Sequence, residues 1–165
     1  MFVCRFDSKE QERSTLHKLN KKFCSKGLRI IPLRHNKDKV LLYLYRPSRL
    51  KRDLKDAQAD RLLQSCGYRC GNINLCIVQL IKRLSENEDF PHEIGLFLGY
   101  PPEDVCGFIE NKAQCCKCVG CWKVYGDTEK AQKLFQQYKK CTTIYKKLWY
   151  SGKPLTKLAV RRSLQ

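Results

Sequence analysis

The sequence predicts an α+β fold: a small three-stranded β-α-β-β sheet in residues 1–46, followed by a helical half, residues 47–165, packed against it. Three observations carry this. An alternating apolar run opens the chain, two more β-rich runs follow before residue 46, and after Pro47 the apolar spacing is helical with no strand pattern.

In order, Phe2, Cys4 and Phe6 share one face of a half-buried strand. Ser8 caps a helix that carries Glu10 and Glu12 in its first turn and Leu16, Leu19 and Phe23 on one stripe, and Lys26-Gly27 ends it. Leu28–Leu33 and Val40–Tyr45 are strands joined by the polar loop Arg34–Lys39. Val40–Tyr45 is continuously apolar, so it is the expected central strand. Ser48–Gln64 reads as one basic helix with Leu50, Leu54, Ala57, Leu62 and Leu63 inward. After Gly67 and Gly71, Asn72 or Asn74 starts a helix through Leu75, Val78, Leu80, Ile81 and Leu84. Pro91 and Pro102 sit where the first turn of a helix tolerates proline. Asp127 caps a last long helix, whose stripe is Leu134, Phe135, Tyr138, Cys141, Tyr145, Leu148 and Trp149, and Ser151–Pro154 stops it.

With 165 residues, 42% hydrophobic and 30% charged, the chain is long and apolar enough for one globular domain. No apolar run approaches the length of a membrane span, and the opening segment does not read as a signal peptide. Thirty-three Lys and Arg against 16 Asp and Glu leave a formal charge of +17, which attracts polyanions at low salt. Eleven cysteines, an odd number with no export signal, point to a reducing cytoplasm, with thiols as small apolar groups or metal ligands.

Specific motifs stand out in Pro91-His-Glu-Ile-Gly-Leu-Phe-Leu-Gly-Tyr-Pro101, Glu103-Asp-Val105, Gly107-Phe-Ile109 and Trp122-Lys-Val-Tyr-Gly-Asp127. With Val40-Leu-Leu-Tyr-Leu-Tyr-Arg-Pro47 and the lysine-rich helix from Glu129, they resemble the bacterial family of domain of unknown function 3793, over most of the chain. The resemblance implies an intracellular protein of anaerobic bacteria with no assigned activity, some relatives of which accompany iron-uptake and flavodoxin-like functions. It marks His92, Glu93, Gly95, Gly99, Trp122, Lys123 and Tyr125 as family-motif residues. It also implies a family segment ahead of the first strand that this chain does not carry.

Three constellations are candidates for chemistry. His92-Glu93 pairs an imidazole with a carboxylate, as a base or half a metal site, or as groups that satisfy amides at a helix start. Gly95 and Gly99, four apart, suggest a helix face pressed on another element. Cys115, Cys116, Cys118 and Cys121 lie in a cysteine-rich loop at 112–121, where Cys118-x-x-Cys121 has the spacing for two thiolates on one zinc or iron ion. Cys106, Cys66 or Cys70 would complete such a site, and Lys117 or Lys123 would activate a redox thiol. Finally, two basic clusters occur. Arg46, Arg49, Lys51, Arg52 and Lys55 follow the third strand, with Tyr45 beside them. Lys139, Lys140, Lys146 and Lys147 lie on the last helix, ahead of Tyr150, Arg161 and Arg162.

No phosphate loop, dinucleotide fingerprint, nucleophile elbow or zincin motif occurs, which weighs against an enzyme. The leading expectation is a non-enzymatic cytoplasmic binding protein. Its basic surface would dock on nucleic acid or a nucleoprotein complex and act as an inhibitor by occupying a groove. An acidic protein is a further candidate partner, and a thiol or metal protein tied to iron or redox handling is the alternative. Docking requires cations that are exposed and not paired with the acids.

Overall fold

The computed structural model describes residues 1–69, 71–86 and 89–160. The fold is α+β, as expected, and the chain packs as two compact units, Met1–Gly99 and Tyr100–Gln165.

The first unit opens with β1 (Phe2–Arg5), α1 (Lys9–Phe23), β2 (Arg29–Asn36) and β3 (Lys39–Tyr45), the β-α-β-β order read from the sequence. Ser8 accepts a hydrogen bond from Gln11 N and caps α1. A short 3-10 turn, Cys24–Lys26, ends on Gly27 at φ 69°, a left-handed position that glycine adopts without Cβ strain. The sheet is antiparallel in the order β1-β3-β2, with β3 central. Pro32, which has no N–H to donate, is tolerated because β2 is an edge strand and its register slips between Pro32 and Arg34. Leu16 from α1, Ile30, Val40 and Leu42 form the core on one face, and α4 packs against β2 as well.

Two expectations change here. Arg34–Asn36 pair with the central strand, so the connection is only Lys37-Asp38, with Lys37 at φ 52°. The single helix expected over Ser48–Gln64 is two, α2 (Pro47–Asp53) and α3 (Ala57–Ser65). The break is local: Asp56 accepts from Gln58 N and Ala59 N and starts a new helix. Ala59, not Ala57, is the buried alanine.

Helix α4 (Ile73–Glu86) follows, and its inward side is Cys76, Ile77, Leu80 and Leu84. Leu75 and Val78, expected inside, are exposed, because the buried face is set by Cys76 and Ile77 beside them. Cys76 is disulfide-bonded, an exception to the expectation of reduced cysteines. The unit ends with α5 (Ile94–Leu98), which begins after His92-Glu93 rather than at Pro91. Tyr43, buried, donates its hydroxyl to the Phe97 carbonyl, and burial pushes its phenol well above the ordinary range.

The second unit contains α6 (Pro102–Glu110), with Pro102 in its first turn as expected, then β4 (Cys118–Val119), β5 (Lys123–Val124), α7 (Thr128–Tyr150) and α8 (Leu155–Leu158). The two-residue strands pair as an antiparallel hairpin, with β4 inside the segment 112–121 read as a loop and β5 just past it. Two residues are too few for a period-2 pattern to register. Trp122, Val124 and Ala131 form its core, with Tyr100, Cys118, Leu134 and Phe135 packed around them. No helix of the described residues is long and apolar enough to cross a membrane.

Candidate nucleic-acid interface

The first basic cluster surrounds α2 and is largely tied down. Arg46 directs Nη1 to the Lys26 carbonyl at 2.6 Å, bracing the turn that leaves α1. Arg49 reaches Asp53 Oδ2 at 3.2 Å across one helical turn, and Arg52 Nη2 reaches Asp53 Oδ1 at 3.1 Å. One carboxylate is thus shared by two guanidinium groups and offsets one of their two charges, while Lys51 and Lys55 extend into solvent with no ion pair among the described residues.

The second cluster is different. Asp127 caps α7 by accepting from Lys130 N at 3.0 Å. Ala131 is buried, and Phe135 meets Trp122 edge-on at 4.6 Å between ring centres. Tyr138 still touches Trp122 at 6.4 Å. Every residue from Gln136 to Lys147 is exposed, and past them α8 packs against α7, with Leu148 half-buried. The expected stripe is therefore covered only in its first half. A helix of 23 residues is about 35 Å long, and the hairpin core reaches only its first turns. Tyr145 (42% exposed), Trp149 (56%) and Tyr150 (83%) stand in solvent with Ile144.

Lysines flank these rings in two rows. Lys139 and Lys146 are seven residues apart, as are Lys133, Lys140 and Lys147, close to two full turns, so each row keeps to one side of the helix. None of the five has an ion pair among the described residues. The sequence explains why: from Lys130 to Gln165 it contains no Asp or Glu. Arg161 and Arg162, read as part of this cluster, lie outside the described residues.

The family-motif residues build scaffold. Glu93 is 3% exposed, yet it does not cap α5. Its Oε1 pairs with Arg83 Nε at 2.7 Å and accepts from the Tyr68 hydroxyl at 3.1 Å. Burial, then the adjacent Glu93 carboxylate, pushes the Tyr68 phenol far up, so it remains a donor. Of the two structural roles open to His92-Glu93, the free amides of a helix start or neighbouring segments, Glu93 serves the second: its partners come from α4 and the loop before it. His92 is exposed. Gly95 is buried in α5, and Gly99 closes α5 at φ 79°. A Cβ on Gly99 would have only ordinary contacts, with Arg49 and Asp53, so the backbone angle, not close packing, requires glycine there.

In the second unit Asp104, also 3% exposed, accepts from Trp122 Nε1 at 2.7 Å and from the backbone N–H groups of Tyr125 and Gly126, both at 2.8 Å. Gly107 and Gly126 leave no room for a Cβ against Tyr125 and Glu103, so α6 and the hairpin close on each other. The two specific motifs therefore meet through one buried carboxylate. Residues 3–159 match the family model described as protein of unknown function (DUF3793).

The chain belongs to the DUF3793 family. It matches no curated protein and no solved structure.

In this DUF3793 chain the cysteine segment wraps the hairpin. Lys112, Ala113 and Cys115 take positive φ (48°, 64° and 56°), and Lys123 holds the strained Ala113 carbonyl at 2.7 Å. Lys117 holds the Gly126 carbonyl at 2.9 Å. Both ammonium groups expected to activate a thiol are thus bound to backbone oxygens. Cys115 and Cys121 are exposed free thiols; Cys116 and Cys118 are half-buried and also free. Among the described residues no three Cys, His, Asp or Glu side chains converge as metal donors; Cys70 lies outside them. The Tyr125 hydroxyl is buried without a hydrogen-bond partner among the described residues, and burial, then the nearby Cys116 and Cys115, raises its pKa.

Sequence reading missed Asp53, Arg83 and Asp104, the three groups that organise these regions. The Arg49-x-x-x-Asp53 spacing was a signal for the first. The other two act across 10 and 18 or more residues, which no local pattern reports.

Proposed function

We propose that this DUF3793 protein is a non-enzymatic binding protein of the cytoplasm that docks on nucleic acid or a nucleoprotein complex through α7. Phosphate contacts supply the affinity, and filling a groove made for another nucleic acid makes it an inhibitor. The supporting observation is the pair of lysine rows, without ion pairs among the described residues, on a helix that has no acid after Glu129 in its first turn. A Lys side chain in solvent gains little from another lysine and much from a phosphate that displaces condensed counterions. The cluster at Arg46–Arg52 plays a lesser part, because Asp53 already engages two of its guanidinium groups. Exposed thiols at Cys115, Cys121 and Cys141 suit a reducing compartment.

Fluorescence anisotropy of a labelled mixed-sequence oligonucleotide tests this reading. Binding at low salt that weakens at least tenfold between about 50 and 200 mM salt is expected for three or more phosphate contacts. Affinity unchanged over that range would reject it.

A further inference from the structure

The basic rows leave one feature unexplained: the aromatic rings between and beyond them. Tyr145, Trp149 and Tyr150 are exposed on the second half of α7, where water meets large apolar faces at a cost that a docked partner would remove. Their chemistry narrows what that partner is. A second copy of this chain would bring its own acid-free lysine rows against these, and like charges would oppose the contact. An acidic helix needs aliphatic knobs along a seam, whereas only Ile144 and Leu148 supply them here. Flat rings beside cations suit nucleobases, which offer a π-face to stack on and a phosphate one bond chain away. In a duplex those faces are already stacked on one another, so the rings would gain nothing.

We propose that the end of α7 binds single-stranded nucleic acid, with bases stacked on Tyr145, Trp149 and Tyr150 and phosphates on Lys139, Lys140, Lys146 and Lys147. This rests on the reading of α7 as a polyanion surface and adds the strandedness of the ligand. The protein carries its own reporter. Of its two tryptophans, Trp122 is 8% exposed and packed edge-on against Phe135, whereas Trp149 is 56% exposed.

The test titrates the full chain with three probes of equal length: a mixed-sequence single strand, its duplex, and a deoxyribose-phosphate strand without bases. Tryptophan emission and anisotropy are followed together. The single strand is expected to bind about tenfold tighter than the other two and to quench the exposed tryptophan. A Trp149→Leu/Tyr150→Leu variant is expected to lose roughly five- to hundredfold in single-strand affinity while its salt slope stays unchanged. Equal binding of all three probes without quenching would overturn stacking and leave polyanion docking standing. A leucine variant that binds the single strand as tightly as the parent would do the same. No binding of any probe at low salt would overturn both.

Discussion

Arg46, Arg49 and Arg52 around α2 and Lys139, Lys140, Lys146 and Lys147 on α7 look alike in sequence: stretches of seven and nine residues, dense in positive charge, next to tyrosine. In the fold they differ. The arginines hold a carbonyl and a shared carboxylate, and they brace the segment between sheet and helix. The lysines have no ion pair among the described residues. What separates the two regions is one acid, Asp53, set a helical turn after Arg49 and next to Arg52, against an acid-free stretch from Lys130 onward. Availability for a partner is therefore decided by the nearest carboxylate rather than by the count of cations.

That contrast can be broken from either side. Replacing Lys139, Lys140, Lys146 and Lys147 together by Gln should lower oligonucleotide affinity at about 0.1 M salt by roughly 10²–10³, since each phosphate contact carries about fivefold there. The unfolding midpoint should hardly move, because these side chains are exposed and unpaired. The reverse pattern belongs to the anchored acids. Asp104→Ala removes the acceptor for Trp122 Nε1 and two backbone N–H groups, and should cost on the order of 3 kcal/mol in denaturant unfolding followed by tryptophan emission. An unaltered midpoint would mean the carboxylate is not what holds the hairpin to α6.

Two smaller effects sharpen the comparison. Asp53→Asn releases Arg49 and Arg52, and a gain of about three- to tenfold in oligonucleotide affinity is expected as the first cluster becomes available. No gain would show that pairing is not what silences it. Smallest of all, Arg49→Gln/Arg52→Gln should change affinity by less than about twofold, read in the same anisotropy assay. A loss as large as that of the lysine variant would place docking at the wrong end of the molecule.

Much of the fold was legible because it is written locally. Ser8 and Asp127 cap helices where a short polar side chain precedes an amphipathic run, and the apolar Val40–Tyr45 run is the central strand. What escaped was set by partners distant in sequence or by their absence. The α7 period continues through Trp149, yet periodicity states only which side chains share a face, not whether anything covers it. The candidate site was legible as composition, in the lysine-rich last helix. Its division into anchored and free cations was not, because Asp53 had to be placed between Arg49 and Arg52 in space. The roles of Glu93 and Asp104 likewise needed Arg83 and Trp122 brought to them by the fold.

The most direct measurement is the salt dependence of single-strand affinity for the parent chain and the four-lysine α7 variant, plotted as log affinity against log salt. The parent slope should be steep, and the variant slope shallower by about 3, from roughly 0.7 per lost lysine contact. Identical slopes for the two proteins would contradict the assignment of docking to α7.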